Sequence, residues 1–304
     1  MDHRTLIAAL PSETKFALTA RSDGAGLRHL GLYGLALGLT TLGIIAKVPL
    51  WPLLILPQGL LLVFLFTLSH ECTHQTPFNT RWINEAVGHA CAVPIALPFI
   101  WFRYFHLAHH KWTNDPERDP ELAGKPRPDS WPSLLAYLSG WFYWRGVTQT
   151  LLQNAFGKID APYLPERQHT AMRREARLLL ALYGLGALSL ILSPLLLWVW
   201  LLPVLIGQPF LRLYLLAEHG LCPPVANMLE NSRTTFTTRV VRFLAWNMPY
   251  HAEHHAFPNV PFHKLPQFHT LTQAHLKSTS NGYTGFATSY ARSMSQDPIH
   301  PSSG

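Results

Sequence analysis

Charge is the feature that this sequence lacks most. Asp, Glu, Lys and Arg make up 13% of its 304 residues, and this is about half the share of an ordinary soluble protein. A disordered chain, a charge-rich coiled coil and a purely soluble protein all need more charge, so the composition argues against all three. Cysteine is scarce too: Cys72, Cys91 and Cys222 are too few and too scattered for a disulfide framework or a Cys-based zinc site.

The missing charge is concentrated in two long stretches. Lys47 is the only charged residue between Arg28 and Glu71, and the 34 residues between Arg177 and Arg212 carry none. One helical membrane crossing takes about 20 apolar residues, so each stretch, with its flanks, is long enough for two crossings. We therefore expect two transmembrane hairpins, the second of them broken near its middle by Pro194.

Two hairpins place both chain termini and all long loops on one side of the membrane. Most basic residues lie in those segments, and the chain carries a net charge of +7. By the positive-inside rule this side is cytoplasmic, and in a bacterium the membrane would be the inner one. The N-terminal segment lacks a signal-peptide pattern, so we expect it to remain in the mature protein.

Histidine is the residue in excess, because the 17 histidines equal Asp and Glu combined. Eight of them form three clusters with spacings of i, i+4 or i, i+3, i+4, which place side chains on one helix face. Such convergence suits metal ligation. The clusters are His70 with His74, then His106, His109 and His110, then His251, His254 and His255.

A ninth candidate ligand is His219, at the expected cytoplasmic end of the fourth apolar run. Nine imidazoles are too many for one ion and suit two, and an all-nitrogen site fits iron, copper or zinc. Polar residues close in sequence are candidates to orient the imidazoles through their second nitrogen. These are Glu71, Asn114, Asp115, Asp119, Glu218, Asn247 and Glu253.

Two metal chemistries compete at this point. His70-Glu71-Cys72-Thr73-His74 matches the H-E-x-x-H helix of zinc proteases, with Glu71 as general base, but a protease leaves the second and third clusters unexplained. The other chemistry is oxidation by O₂ at a two-iron centre that an apolar substrate reaches through the membrane. A metal transporter is disfavoured, because the histidines lie at the ends of the crossings and not inside them.

The three clusters in this order resemble the histidine boxes of the integral-membrane fatty acid desaturase superfamily, from about Leu30 to His269. That superfamily includes acyl-lipid and acyl-CoA desaturases, hydroxylases and carotenoid ketolases. The strongest similarity lies in two strings, Phe102–Asn114 and Trp246–Pro258. The resemblance implies a four-helix membrane bundle, a cytosolic cap and a diiron site with His219 among the ligands.

One position departs from the pattern of acyl-CoA desaturases. These carry a water-holding Asn one turn before the histidine of the fourth membrane helix, and here the matching residue is Leu215. The resemblance implies a membrane-bound, O₂-dependent fatty acyl desaturase that introduces a C=C bond, using two Fe. A hydroxylase or ketolase acting on a lipid, hydrocarbon or terpenoid on the same scaffold is the alternative.

The expected partners are a lipid or acyl substrate, the membrane and a separate electron donor. The chain carries no cytochrome b5-like His-Pro-Gly-Gly motif, no Rieske Cys/His pattern and no G-x-G-x-x-G fingerprint. Electrons must then come from a separate protein, such as a ferredoxin or cytochrome b5. Both of these are acidic, so we expect the basic face to be their docking surface. No nucleic-acid partner is expected, because the basic residues accompany membrane helices.

The sequence thus predicts an all-α integral membrane protein. Four transmembrane helices form two hairpins, and a cytosolic helical cap holds a histidine-rich dimetal site. We expect residues 1–304 to form a single domain with four parts. The parts are a first hairpin (about 30–69), a cap segment with boxes one and two (70–171), a second hairpin (172–217) and a cap segment with box three and the C-terminal tail (218–304).

Overall fold

A computed structural model describes residues 1–123 and 127–295; the end of the expected C-terminal tail, with His300, lies outside this range. The described residues are mostly helical. In chain order the helices are α1 (His3–Ala9), α2 (Ser12–Thr19), α3 (Asp23–Ile45), α4 (Ile55–Val63), α5 (Leu65–His74), α6 (Arg81–Ile95), α7 (Phe99–Trp112), α8 (Trp131–Leu138), α9 (Trp141–Phe156), α10 (Glu166–Leu192), α11 (Leu202–His219), α12 (Met228–Asn231), α13 (Arg239–Leu244), α14 (His251–Ala256), α15 (Leu265–Thr272) and α16 (Gly282–Ser295).

Two short strands depart from the all-α expectation. β1 (Thr234–Phe236) and β2 (Thr279–Asn281) pair in parallel, with Thr234 opposite Thr279. The backbone N–H of Thr235 also donates to the Pro249 carbonyl at 2.9 Å, just before α14. Each strand has three residues, too few for an alternating pattern that sequence analysis could detect.

Four helical segments are long and apolar enough to cross a membrane, as the sequence predicts. They are Ser12–Ile45, Trp51–His74, Glu166–Leu192 and Leu197–His219. The most apolar parts of the second and fourth are 61% and 44% buried in the protein, against 11% and 17% for the first and third. The second and fourth segments are therefore central, and the other two expose apolar side chains as lipid requires.

The segment after box one folds as a bent pair of helices. α6 and α7 meet at 98°, and only if they are counted as one span does the number of candidate spans rise to five. Ala96 ends α6 in the left-handed conformation (φ 57°), and Pro98 precedes the first residue of α7. Pro98 cannot donate a backbone hydrogen bond within a continuing helix, which accounts for the break.

The two central segments cross where both helices have a glycine. A Cβ on Gly207 of α11 would lie 2.6 Å from the carbonyl oxygen of Gly59 in α4, and a Cβ on Gly59 would lie 2.2 Å from that of Pro203. Small residues let membrane helices approach this closely, which gives dispersion contacts that lipid cannot replace. The histidine-bearing ends of both segments lie beyond this crossing in the chain direction.

A buried amide ties three apolar segments together near the same crossing. Gln58 of α4 donates from Nε2 to the Val199 carbonyl and to Oγ1 of Thr41, both at 2.9 Å, and it is also bonded to Thr40 of α3. Val199 lies in a π-helical turn, Leu197–Leu201, where the usual helix bonding is interrupted. The buried amide of Gln58 thus has partners on two neighbouring segments of the bundle.

The segment that follows the second box, residues 131–156, is rich in Trp and Tyr and folds as a helical hairpin of α8 and α9. It turns at Gly140, whose φ of 77° favours glycine. A Cβ at Gly140 would lie 3.2 Å from Cβ of Gln208 in α11, so the turn packs directly on the fourth span.

The close crossing predicts that Gly207→Ala destabilises the protein by about 1–3 kcal/mol, because the new methyl group meets backbone that cannot rotate away. Thermal unfolding of the purified protein in detergent measures the effect. Gly184→Ala on α10 is the matched control, since nothing lies within 4 Å of its Cβ position. Equal melting temperatures for the two variants would contradict this close packing.

Candidate metal centre

Four elements bring the histidines to one end of the central segments. α5 carries His70 and His74 one turn apart, and it ends there because Gln75 adopts the left-handed conformation (φ 57°). α7 carries the second cluster in its last two turns, α11 ends at His219, and the third cluster supplies three of the six residues of α14.

All nine histidines singled out from the sequence converge, and they do so in two groups. Within each group one potential ligand atom per residue lies within 4.8 Å of all the others. The five-histidine group is His70, His74, His106, His110 and His254, and the four-histidine group is His109, His219, His251 and His255. Seven of the nine are buried, and His74 and His110 are partly buried.

The helical offsets explain how the second and third boxes each serve both groups, whereas the first box serves only the five-histidine group. In α7 the i and i+4 residues, His106 and His110, join the five-histidine group, and His109 turns to the other. The rings of His110 and His255 stack in parallel with centroids 4.0 Å apart, so the two groups are in direct contact.

The spacing of the ring nitrogens fits metal ligation. Nε2 atoms face each other at 2.8 Å (His74 and His106), 3.2 Å (His110 and His254), 3.1 Å (His109 and His219) and 3.0 Å (His219 and His251). Two nitrogens bound at about 2.1 Å and at right angles to each other on one ion lie about 3.0 Å apart. Each of these four pairs falls within one group.

Several ring nitrogens are buried without a hydrogen-bond partner among the described residues, including both of His70 and Nε2 of His255. Outside the membrane-spanning segments, burial and neighbouring imidazoles lower the pKa of His251, His254 and His255 well below the usual histidine range. These rings are therefore neutral near pH 7, and a neutral imidazole has the lone pair that a metal ion requires.

Hydrogen-bond acceptors behind the rings fix their orientation. Nδ1 of His109 donates to Asp119 at 2.9 Å, and Nδ1 of His219 donates to the Asn231 carbonyl at 3.2 Å. Nδ1 of His255 is also hydrogen-bonded to Thr113 Oγ1 at 3.1 Å. The carboxylates of Glu218 and Glu71 lie 3.2 Å from Nδ1 of His251 and 3.5 Å from Nδ1 of His254, close enough for electrostatic contact but without hydrogen-bond alignment. Such contacts set the tautomer and the ring plane of a ligand.

Three of the seven orienting residues expected from the sequence, Glu71, Asp119 and Glu218, thus lie against histidines of the centre. The other four contact different groups. Asp115 pairs with Arg118 at the surface, Asn114 donates to the Asn231 carbonyl, Asn247 donates to the Phe262 carbonyl, and Glu253 accepts from His269 and Thr234. Sequence proximity placed them near the ligands but could not give the direction of each side chain.

Sequence reasoning did not identify Thr113 or Asn231. Thr113 directly follows α7, but a threonine at that place carries no distinctive signal. Asn231 acts through its backbone carbonyl and lies 12 residues from His219, and no residue-type pattern reports a carbonyl.

A membrane-helix carboxylate anchors the start of α7, and it too was missed. Glu175 of α10 accepts the backbone N–H groups of Phe99 and Ile100, both at 2.9 Å, and Nδ1 of His89 lies 2.7 Å from its Oε1. A carboxylate at a helix N-terminus satisfies N–H groups that have no partner in the helix and complements the helix dipole. Glu175 thereby positions the helix that carries three of the nine histidines.

The fold and site define a class: a helical protein with candidate membrane spans and a buried histidine centre of two groups at their ends. The fatty acid desaturase family model matches residues 46–286. The chain therefore belongs to the fatty acid desaturase family.

Curated relatives are similar over shorter stretches. A bifunctional fatty acid conjugase/Delta(12)-oleate desaturase of Punica granatum is 36% identical over 69 residues, 23% of this chain and 18% of the relative. An sn-1 acyl-lipid omega-3 desaturase (ferredoxin) of Nostoc sp. is 35% identical over 69 residues, which are 23% of this chain and 19% of the relative. An sn-1 oleoyl-lipid 12-desaturase of Arthrospira platensis is 40% identical over 83 residues, which are 27% of this chain and 24% of the relative. The matched stretches thus span about a fifth of the relatives' own length.

Asp119→Asn is expected to lower metal affinity about 10- to 100-fold, because the amide orients His109 less firmly than the carboxylate does. Metal retained after dialysis against a graded chelator series, measured by mass spectrometry, gives this value. Asp115→Asn, four residues earlier and paired with Arg118 at the surface, is the control and should retain the wild-type content. Equal losses in both variants would show that the Asp119–His109 contact has no special role.

Glu175→Gln is expected to destabilise the protein by about 1–3 kcal/mol, because its amide NH₂ group would face a backbone N–H that needs an acceptor. Thermal unfolding and metal content should fall together, since α7 carries three histidines of the centre. Glu166→Gln, in the exposed first turn of the same helix, should change neither. Unchanged stability of the Glu175 variant would contradict the anchoring role.

Proposed function

We propose that the protein is a membrane-bound, O₂-dependent diiron desaturase that introduces a C=C bond into a lipid acyl chain. The observation that carries this proposal is the convergence of nine histidines into adjoining groups of five and four. Family membership supports it, and so do the relatives named as acyl-lipid desaturases.

Each histidine group would hold one iron. His70, His74, His106, His110 and His254 would bind the first, and His109, His219, His251 and His255 the second. Two irons supply the redox capacity that O₂-dependent removal of hydrogen from an unactivated C–H bond demands. All-imidazole coordination suits iron among the first-row metals, and it leaves open positions when ligands number four or five.

The protein's own residues orient the ligands and exclude water. Asp119, Glu218 and Glu71 lie against His109, His251 and His254 and hold the rings in place. Since seven of the nine histidines are buried, bulk water is kept from the centre. An acyl chain would reach the irons from the apolar spans whose ends carry His74 and His219.

Electrons would come from a separate protein on the cytoplasmic side, such as a ferredoxin or cytochrome b5. The excess of Lys and Arg in the segments outside the spans supports a cytoplasmic location for the termini and the site. The Nostoc relative, named as a ferredoxin desaturase, supports this class of donor. On this topology the spans form two hairpins within one domain, and residues 70–171 and 218–304 form the cap.

A hydroxylase or ketolase on the same scaffold is the second candidate, since both begin with the same hydrogen abstraction. Leu215, which replaces the water-holding Asn of acyl-CoA desaturases, is partly buried and packs against the apolar core. A leucine side chain has no polar group that could hold a water molecule there. A zinc protease is disfavoured by the position of Glu71. Its Oε1 lies 3.5 Å from Nδ1 of His254, behind a ring whose Nε2 faces His110.

Lipid and small-molecule profiling of cells that express the chain together with a ferredoxin system tests the function. New unsaturation is the expected result, and a new hydroxyl or ketone would assign the alternative. His110→Ala and His255→Ala should abolish the product, whereas His275→Ala, outside both groups, should not. A protease would instead depend on Glu71 and tolerate loss of the third box. An active His110 or His255 variant would contradict the assignment of the site.

A further inference from the structure

We propose that Arg212, Gln208 and Trp144 form a subsite that binds the carbonyl or carboxylate oxygens of the acyl substrate. The subsite lies between α11 and the α8–α9 hairpin, outside both histidine groups. This inference rests on the proposed function, because it assigns the place where an acyl substrate of that enzyme is anchored.

Arg212 and Gln208 are buried and Trp144 is partly buried, and each has buried polar atoms without a hydrogen-bond partner among the described residues. Gln208 is fully buried with both amide atoms unpartnered, and Arg212 is 9% exposed with Nε and Nη2 unpartnered. Nε1 of Trp144 is also buried and unpartnered. A Cβ at Gly140 would lie 3.2 Å from Cβ of Gln208 and 3.3 Å from Nε1 of Trp144, so these two side chains border the same point.

This pattern contrasts with two other buried polar side chains of the spans. Gln58 and Glu175, described above, are bonded to partners on neighbouring elements. A buried hydrogen-bonding group without a partner destabilises the fold, and it does so more strongly when it is charged. An ionisable residue within a membrane span therefore indicates a functional site.

The unpartnered atoms specify the chemistry of the missing group. Nε and Nη2 lie on one edge of the guanidinium. Their N–H groups can donate to the two oxygens of a carboxylate, or both can donate to one carbonyl oxygen. The indole of Trp144 and the amide nitrogen of Gln208 add further donors, whereas Gln208 Oε1 is the only acceptor of the set. Because donors predominate, the partner must be rich in acceptors, as the carbonyl end of an acyl chain is.

The charges around Arg212 leave this edge available. Glu121 and Glu218 act on the guanidinium through space, but no carboxylate of the described residues lies within 4.0 Å of it. The contact that holds the group is the ring of Tyr143, whose centroid lies 4.5 Å from Cζ. This contact stabilises the cation and uses none of its N–H donors.

The register of α11 connects the subsite to the histidine centre. Gln208, Arg212, Leu215 and His219 are separated by four, three and four residues, so they follow one face of the helix. Arg212 and His219 are about 10 Å apart along the axis. A substrate anchored at Arg212 would pass its hydrocarbon portion along Leu215 towards the histidines. The position of the new double bond is then set by its distance from the carbonyl end.

The first test measures binding to purified protein in nanodiscs, with octadecanoate, methyl octadecanoate and octadecane as labelled probes. We expect Arg212→Met to weaken binding of the acid or the ester at least about tenfold and to leave octadecane unchanged. Gln208→Leu, which keeps the volume, should weaken it by a smaller factor. Arg145→Met, at an exposed arginine of α9, is the matched control.

Selective loss of the acid assigns a carboxylate ligand, and loss of both acid and ester assigns the carbonyl oxygen. The subsite is overturned if the wild-type protein binds all three probes equally. It is also overturned if neither Arg212→Met nor Gln208→Leu changes the binding of the acid or the ester.

The second test uses acyl chains of graded length in the active enzyme. The subsite predicts a double bond at a constant distance from the carbonyl carbon. Arg212→Lys, which loses the paired N–H donors of the guanidinium, should raise KM more than it lowers kcat. A double bond at a constant distance from the methyl end overturns the subsite but leaves the desaturase assignment intact. No product from any chain length contradicts the proposed function itself, and the binding test still decides the subsite.

Discussion

The convergence of nine imidazoles is the constraint on which the rest of the structure depends. Neutral histidines can be buried together only if their lone pairs and N–H groups have partners, and metal ions with acceptors behind the rings meet that need. The ligand candidates lie between residues 70 and 255 of the chain. The fold must therefore bring four separate helix ends together, and the Gly59–Gly207 crossing and the Glu175 anchor serve that convergence.

Much of this arrangement could be predicted from the sequence, because it rests on periodic signals. Charge-free runs predicted the four spans, and the i, i+4 and i, i+3, i+4 spacings predicted eight of the nine histidines that the structure brings together. The ninth, His219, was predicted from its position at the end of the fourth apolar run. The acceptors behind the rings were less accessible. Asp119 and Glu71 were found by proximity, but Asn231 acts through a carbonyl and Glu253 points to His269. Side-chain direction depends on tertiary packing, which local sequence does not encode.

Burial of polar groups in an apolar bundle separates structural from functional positions. Gln58 ties helices together and Glu175 anchors α7, and both use their hydrogen-bonding capacity within the protein. Arg212 and Gln208 do not, although they are similarly buried. The same physical rule, that buried polar groups need partners, thus accounts for the contacts within the bundle and supports the proposed substrate subsite.

The central claim is that two histidine groups hold two irons in different surroundings. Mössbauer spectroscopy of protein loaded with ⁵⁷Fe tests it most directly, because five- and four-histidine environments give separate signals. The account predicts two signals of equal area, with His74→Ala removing or altering mainly one and His219→Ala mainly the other. A single iron signal that both substitutions abolish equally, or protein that takes up one zinc and no iron, would contradict the account.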